Sequence, residues 1–343
     1  MTRGTETRGA DDGVTTKLWR GGELVEEGFA LTDVSERLAA EDALVWVDLC
    51  DPDHERLQRL ARELSLDTHA VEDAVLAHER PKATLHATHT FLTVYGTNLR
   101  DPDPEEPRRS SLEVHRVSAF VLPRGIVTVR GPAGFDMEPV QQRWQDDPDL
   151  LRYGVGALVH GLLDVVVDGH FETIQQLDQL IEGLEDVLFD DRASSREVQT
   201  RTYRIRKELV ELRRAVLPMR EVVNAVLRHR TEANHHASEL DGYFTDLYDH
   251  VLRAAEWTES LRDMVTTVFE TNLSLQDARL NTVMKKLTGW AAIIAVPTAI
   301  TGWFGMNVPY PGFGKVSGFV ASLGVIVGLG LVLYTVFRRK DWI

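Results

Sequence analysis

Eight positions spaced alternately by three and four residues form one stripe of the chain: Asn281, Met284, Thr288, Ala291, Ala295, Thr298, Gly302 and Gly305. Apart from Met284 all are small or polar, whereas the bulky Ile293, Ile294, Val296, Ile300 and Phe304 fall elsewhere. On a helix such a stripe serves either of two purposes: close packing against a neighbouring helix, or lining a path for water and ions. Other chemically active side chains are less organised. His229, His235 and His236 surround an expected turn without clear zinc-ligand spacing and read as a solvated loop. His86 and His89, three apart in or near a strand, are expected on opposite faces. The single cysteine, Cys50, excludes an intrachain disulfide and reads as a core thiol. No Ser–His–Asp or paired-carboxylate arrangement follows from spacing, and no GxxxxGK[ST] loop is present. Neither an enzyme nor an organic cofactor is expected.

The stripe lies in a segment built for a membrane. No charged residue occurs between Lys286 and Lys315. Residues 287–304, at 1.5 Å each, reach about 27 Å, close to the hydrocarbon thickness of a bilayer. A second uncharged run, 316–337, is also long enough to span. The short Gly- and Pro-containing link makes the two a hairpin. Lys285 and Lys286 before it, and Arg338, Arg339 and Lys340 after it, put both ends in the cytoplasm. Trp290, Trp303, Tyr310, Tyr334 and Trp342 sit near the expected interfaces. The first 13 residues hold no apolar leader-like stretch, so the remainder is expected in the cytoplasm of a cell-membrane protein.

Charge divides the chain in the same way. The totals are 38 basic and 53 acidic residues, a formal net charge of −15. Residues 281–343 hold six bases and one acid, leaving 32 basic and 52 acidic groups, a net of −20, in residues 1–280. So acidic a body excludes nucleic acid as a partner. Residues 1–16 are polar and expected to be disordered. Residues 17–148 form an α/β domain with strands near 43–49, 91–99, 112–122 and 125–130 and a helix at 52–65 capped by Asp51 or Asp53. Ile174, Leu177, Ile181, Leu184 and Leu188, then Ile205, Leu209, Leu212, Val216, Met219, Val223 and Val226, are heptad seams. They imply an antiparallel helical hairpin over 149–240, with Pro218 kinking its second arm or sitting at a bend. Residues 243–288 contain neither Gly nor Pro. Their 46 residues allow about 69 Å of unbroken helix, with the stalk assigned to 241–286. The first span follows over 287–307, the outer loop over 308–315, the second span over 316–337 and a basic tail over 338–343.

At the end of the first span the run Trp303-Phe304-Gly305-Met306-Asn307 resembles the GMN signature of the CorA family of divalent-metal channels, members of the two-span Gly-x-Asn superfamily. Trp46-Val47-Asp48-Leu49 followed by Pro52, Glu72-Asp73, and Arg80-Pro81-Lys82 resemble its cytoplasmic domain. Leu212-Arg213-Arg214 and Pro218-Met219-Arg220-Glu221 resemble its helical hairpin, and residues 281–288 resemble the inner mouth of its pore. The resemblance implies a mixed α/β cytoplasmic domain whose long helices continue into a two-helix transmembrane hairpin, assembled as a funnel-shaped homopentamer. It implies a selectivity motif of Gly305, Met306 and Asn307, and a pore lined by Asn281, Met284, Leu287, Thr298 and Gly302. It also implies cytosolic Mg2+ sensing between subunits by Asp73 and Glu270, with Glu72 and Asp246 as a secondary set. Partners are then further copies of the chain, the lipid bilayer and divalent cations.

Two departures bear on selectivity. The loop after the motif, 308–315, has no acid and one lysine where the family often places acids. Met306, by contrast, favours the magnesium branch over ZntB-type zinc transporters. A ring of neutral Asn307 carboxamides accepts hydrogen bonds from the waters that Mg2+ sheds reluctantly, and neutral ligands let the ion leave again. A divalent ion gains about 4.6 kcal/mol on entering across 100 mV, so uptake needs no ATP. The expected function is Mg2+ uptake, with Co2+ or Ni2+ as further cargo, gated by internal Mg2+. The alternatives are a Zn2+ or broad transition-metal transporter and a non-conducting membrane-anchored sensor or scaffold.

Overall fold

The computed structural model describes residues 13–76, 79–103, 105–106, 109–132, 134–188, 195–233, 239–306, 309, 311–340 and 342–343. It divides into two compact units, residues 1–268 and 269–343. The first is organised around a seven-stranded sheet: β1 (Val14–Arg20), β2 (Glu23–Glu27), β3 (Ala43–Cys50), β4 (Lys82–Leu85), β5 (Thr90–Leu99), β6 (Leu112–Leu122) and β7 (Gly125–Arg130). Their spatial order is β2-β1-β3-β7-β6-β5-β4, with β3 and β7 parallel and all other neighbours antiparallel. Strand β1 begins at Val14, inside the stretch expected to be disordered. Gly21 and Gly22, both at positive φ (59° and 91°), turn it into β2. Two glycines that accept this left-handed geometry make the tight two-residue hairpin.

Strand β3, inside the sheet, is apolar on both faces because both are covered. Leu44 and Trp46 enter one hydrophobic cluster, while Val45, Val47 and Leu49 enter the other. Asp48 is the exception within this run, and a chain of hydrogen bonds accounts for it. Trp46 Nε1 donates to Thr128 Oγ1 at 3.0 Å, Thr128 Oγ1 donates to Asp48 Oδ1 at 2.6 Å, and Arg130 Nε donates to Asp48 Oδ2 at 2.9 Å. Burial pushes the Asp48 carboxyl pKa up, against the pull of Thr128 and Arg130. The Trp46–Leu49 motif is therefore a structural knot between β3 and β7, not a ligand site.

Helices α1 (Val34–Ala39), α2 (His54–Glu63) and α3 (Thr68–Val75) cover the second cluster. Asp53, not Asp51, caps α2, accepting from the Arg56 N–H at 2.7 Å; Asp51 makes the preceding turn at φ 50°. Helices α4 (Glu138–Asp146), α5 (Pro148–Leu151), α6 (Val155–Leu188) and α8 (Met219–Ala233) contribute to the first cluster. Helix α7 (Ser195–Val216) stops two residues before α8, so Pro218 lies at a bend, its carbonyl accepting from the Val222 N–H at 3.1 Å. Every seam residue from Ile174 to Leu188 and from Ile205 to Val226 that the spacing marks is buried.

Helix α9 (Leu240–Phe304) is unbroken for 65 residues, about 98 Å, and includes Pro297. Within the first unit it buries Leu240, Phe244, Leu247, Val251, Ala254, Leu261, Val265 and Val268. The second unit comprises the rest of α9, a short link and α10 (Val316–Arg339).

Candidate ion path and regulatory carboxylates

In the second unit each long helix has one stripe of partial burial. On α9 it is Ala292, Ile293, Val296, Pro297, Ile300 and Phe304; on α10 it is Ser322, Ile326, Gly330, Leu333 and Phe337. A three-and-four spacing on both is what one helix covers on another. Both helices are long and apolar enough to cross a membrane and carry almost no buried surface in their apolar windows. The small-residue stripe is a different face of α9. Asn281, Met284, Thr288, Ala291, Ala295, Thr298 and Gly302 are all exposed, and so is Leu287. The chain's own hairpin does not use the stripe for packing.

Hydrogen bonding within that face is local. Thr298 Oγ1 donates to the Ile294 carbonyl at 3.0 Å, and Thr301 Oγ1 to the Pro297 carbonyl at 2.9 Å. Gly305 N–H closes a last turn on the Thr301 carbonyl at 2.9 Å, and Met306 N–H reaches the Trp303 carbonyl at 3.3 Å. Asn307 lies outside the described residues. At the other end of the hairpin a Cβ on Gly289 would meet the Ile343 side chain at 3.0 Å. The two basic groups, Lys285 with Lys286 and Arg338 with Arg339 and Lys340, therefore gather at one end.

The carboxylates expected to sense metal occupy unlike surroundings. Asp73 is half-buried on α3 and already paired: Lys82 Nζ, on β4, donates to its Oδ2 at 2.6 Å and contacts Glu79 Oε1 at 3.2 Å. Burial lowers the Lys82 pKa, but its hydrogen bonds to Asp73 and Glu79 outweigh that and leave it raised. Glu72 is exposed next to Asp73. Glu270, in the second unit, is exposed, its backbone carbonyl accepting from Ser274 Oγ at 3.1 Å. Asp246 has richer company, with His250 Nε2 3.8 Å away and a cavity of about 250 Å³ shared with Arg143, His160, Asp164 and Asp168. Sequence spacing gives no hint of this grouping, because α4, α6 and α9 each supply part of it. Among the described residues no group of three or more His, Cys, Asp or Glu is arranged to hold a metal ion.

The histidines differ from expectation in one respect. His86 and His89 do not face opposite ways: their rings stack with centroids 4.9 Å apart. They flank the turn between β4 and β5, closed by His86 N–H to the His89 carbonyl at 2.8 Å, so strand alternation does not apply. Burial lowers the pKa of His89, helped by its neighbour His86. His229 Nδ1 is buried without a partner, whereas His235 and His236 lie outside the described residues.

A mixed α/β body with two helices long and apolar enough to cross a membrane has the build of a two-span membrane protein. The family model described as CorA-like Mg2+ transporter protein matches residues 41–339, and the chain belongs to that family of ion transporters, which are not enzymes. Among curated relatives, the cobalt/magnesium transport protein CorA of Thermotoga maritima is 27% identical over 92% of this chain and 88% of its own length. The complete structure of the CorA magnesium transporter from Methanocaldococcus jannaschii superposes with a TM-score of 0.72 at 22% identity, covering 96% of this chain and 98% of that one. A ZntB cytoplasmic domain from Vibrio parahaemolyticus is a more distant likeness, with a TM-score of 0.57 at 11% identity over 78% of this chain.

Proposed function

We propose that the chain forms a homopentameric Mg2+ channel whose first spans line the pore, with Co2+ and Ni2+ as further cargo. The single observation that carries the reading is the exposed stripe from Asn281 to Gly302, small or polar apart from Met284, beside a different face of α9 that its own hairpin partly covers. Two helices enclose no water path, so the stripe needs copies of itself, and cyclic symmetry supplies them. The likeness to proteins named for cobalt and magnesium transport points to the cargo. Asn307, by its place in the motif after Met306, supplies neutral carbonyl oxygens at the outer entrance. Asn281, Met284, Leu287, Thr298 and Gly302 line the way inward. Both termini lie in the cytoplasm, since both basic clusters gather at one end.

Regulation follows from the acidic body. Carboxylates brought together between subunits repel one another unless a cation lies between them. Internal Mg2+ bridging Asp73 and Glu270 of neighbouring subunits holds the assembly closed, and its loss releases it. Lys82 is a built-in competitor, because Mg2+ must displace an ammonium 2.6 Å from Asp73. Glu72 and Asp246 form a second, weaker set.

Purified protein in liposomes tests the reading, with uptake of Mg2+, Co2+, Ni2+ and Zn2+ measured at varied internal Mg2+. Asn307→Ala abolishes Mg2+ uptake while the pentamer persists, and Asp73→Ala with Glu270→Ala leaves uptake less sensitive to internal Mg2+. Zinc flux without magnesium flux replaces the cargo assignment, and no divalent flux at all restores the anchored-sensor alternative. Unchanged inhibition in the double variant sinks the sensing role of these acids.

A further inference from the structure

Five bases meet at the end of the hairpin where the apolar run of α9 begins and that of α10 finishes. Lys285 and Lys286 stand just before Leu287, and Arg338, Arg339 and Lys340 follow Phe337. All five are exposed, and none is engaged in an ion pair among the described residues. Asp341, the one acid of residues 281–343, lies outside the described residues. The opposite end of the hairpin carries one base, Lys315.

Backbone and ring contacts fold the tail across to α9. Lys340 N–H reaches the Val336 and Phe337 carbonyls at 3.1 and 3.2 Å, and Trp342 N–H returns to the Phe337 carbonyl at 2.9 Å. That turn lays the Trp342 ring on the Phe337 ring, with centroids 5.5 Å apart and planes 9° from parallel. The tail then meets α9 at Gly289, where a Cβ would stand 3.0 Å from Ile343 Cγ1 and 3.6 Å from the Trp342 carbonyl. Gly289 is one turn past Lys285 and Lys286, so the close approach sets the α10 cluster beside the lysine-bearing turn. The helix dipole favours cations at the end of α10, and the topology rule favours them on one side of a membrane. Neither asks for a tail folded across to a second helix.

The charges lie at a particular depth. Leu287 and Phe337 bound the apolar runs, which puts the five bases at the level of lipid headgroups. Trp290 and Tyr334, one turn inside, present exposed aromatic rings to the same interface. Lysine and arginine stems lie along apolar surface there and carry their charged heads to the phosphates.

We propose that Lys285, Lys286, Arg338, Arg339 and Lys340 form a two-helix site for the headgroup phosphate of an anionic phospholipid, its two halves held together by the Trp342–Phe337 stack. The proposal rests on the two-span reading. Guanidinium forks take two phosphate oxygens at once, and the ammonium groups add point charge. The occupant is a lipid because the bases border the exposed apolar faces of α9 and α10, along which acyl chains lie.

Native mass spectrometry of the purified full-length protein, in mixed micelles of phosphatidylglycerol and phosphatidylcholine, tests the proposal. The wild type retains phosphatidylglycerol over phosphatidylcholine about tenfold. The preference fades as the Debye length shrinks from about 10 Å in 0.1 M NaCl to about 3 Å in 1 M. Lys285→Gln with Lys286→Gln, which leaves the α10 cluster in place, lowers it several-fold, and Lys285→Arg with Lys286→Arg restores it. Trp342→Ala keeps all five charges and also lowers it. Equal retention of the two lipids by the wild type overturns the proposal, as does a preference that neither the lysine pair nor Trp342→Ala changes. Displacement of the lipid by inorganic phosphate at equal phosphate concentration assigns the site to a soluble anion and overturns the lipid occupant. If the variants fail to fold, the salt series on the wild type decides, and a preference undiminished at 1 M NaCl overturns the proposal. A wild type that stays monodisperse without detergent removes the two-span reading, an outcome distinct from equal lipid retention in micelles.

Discussion

Helix α9 carries two seams that meet opposite fates. From Leu240 to Val268 its apolar positions are buried by the rest of its own chain. From Asn281 to Gly302 the stripe is exposed and, apart from Met284, small or polar. The first seam is complete in a monomer, whereas the second has no counterpart among the described residues. On the proposed reading one continuous helix serves tertiary structure at one end and assembly at the other, and the change in side-chain size marks the handover.

The largest expected effects separate the two. Leu247→Ala, in the buried seam, costs about 2–5 kcal/mol by cavity formation and lowers the Tm of the body. Gly302→Leu, on the exposed stripe, abolishes ion flux in liposomes and leaves the body's Tm unchanged. Should Gly302→Leu unfold the body as well, the two seams are not independent and the contrast fails.

Acid provides the next test. His170 is fully enclosed, donates Nε2–H to the Tyr95 carbonyl at 2.7 Å, and is pushed down to a pKa of about 4 by burial. Its native pKa lies below the unfolded value near 6.5, so its stabilising contribution is complete above that value and fades as pH falls through it towards 4. The full loss is on the order of 3 kcal/mol. Residues 269–304 contain no histidine, so this histidine-linked loss falls on the body. Calorimetry between pH 7 and pH 4.5 should show that His170→Gln flattens this dependence. A slope equal to that of the wild type removes His170 as its source.

The smallest effect concerns Lys82. Replacing it with Met frees Asp73 of an ammonium 2.6 Å away and should move half-inhibition by internal Mg2+ several-fold lower. A shift to higher Mg2+ would mean that the lysine assists the site instead of competing for it.

The sequence made some of these features readable. Strands β3, β5, β6 and β7 stand out because they are long runs of Val, Ile, Phe and Thr. The stalk stands out because a run without Gly or Pro has nothing to end it. Strands β1, β2 and β4 do not, since KLWR, ELVEE and KATL are charged and owe their extended form to pairing at the sheet's flanks. The Gly21-Gly22 hairpin was the available signal for two of them. The small-residue stripe is legible by spacing, but spacing leaves its partner open; the partial burial of a different face of α9 decides that the partner is not α10. Pairs such as Asp73 with Lys82 and Arg143 with Asp164 join separate elements, and nothing in local periodicity announces them.

The Thr298 hydroxyl has a further consequence. Its proton goes to the Ile294 carbonyl, so the oxygen turns only lone pairs outward. In the proposed assembly a ring of such hydroxyls would be electronegative without being charged. It would repel chloride and phosphate by orientation alone, and welcome the hydrogens of a cation's water shell without a fixed charge deep enough to trap the ion.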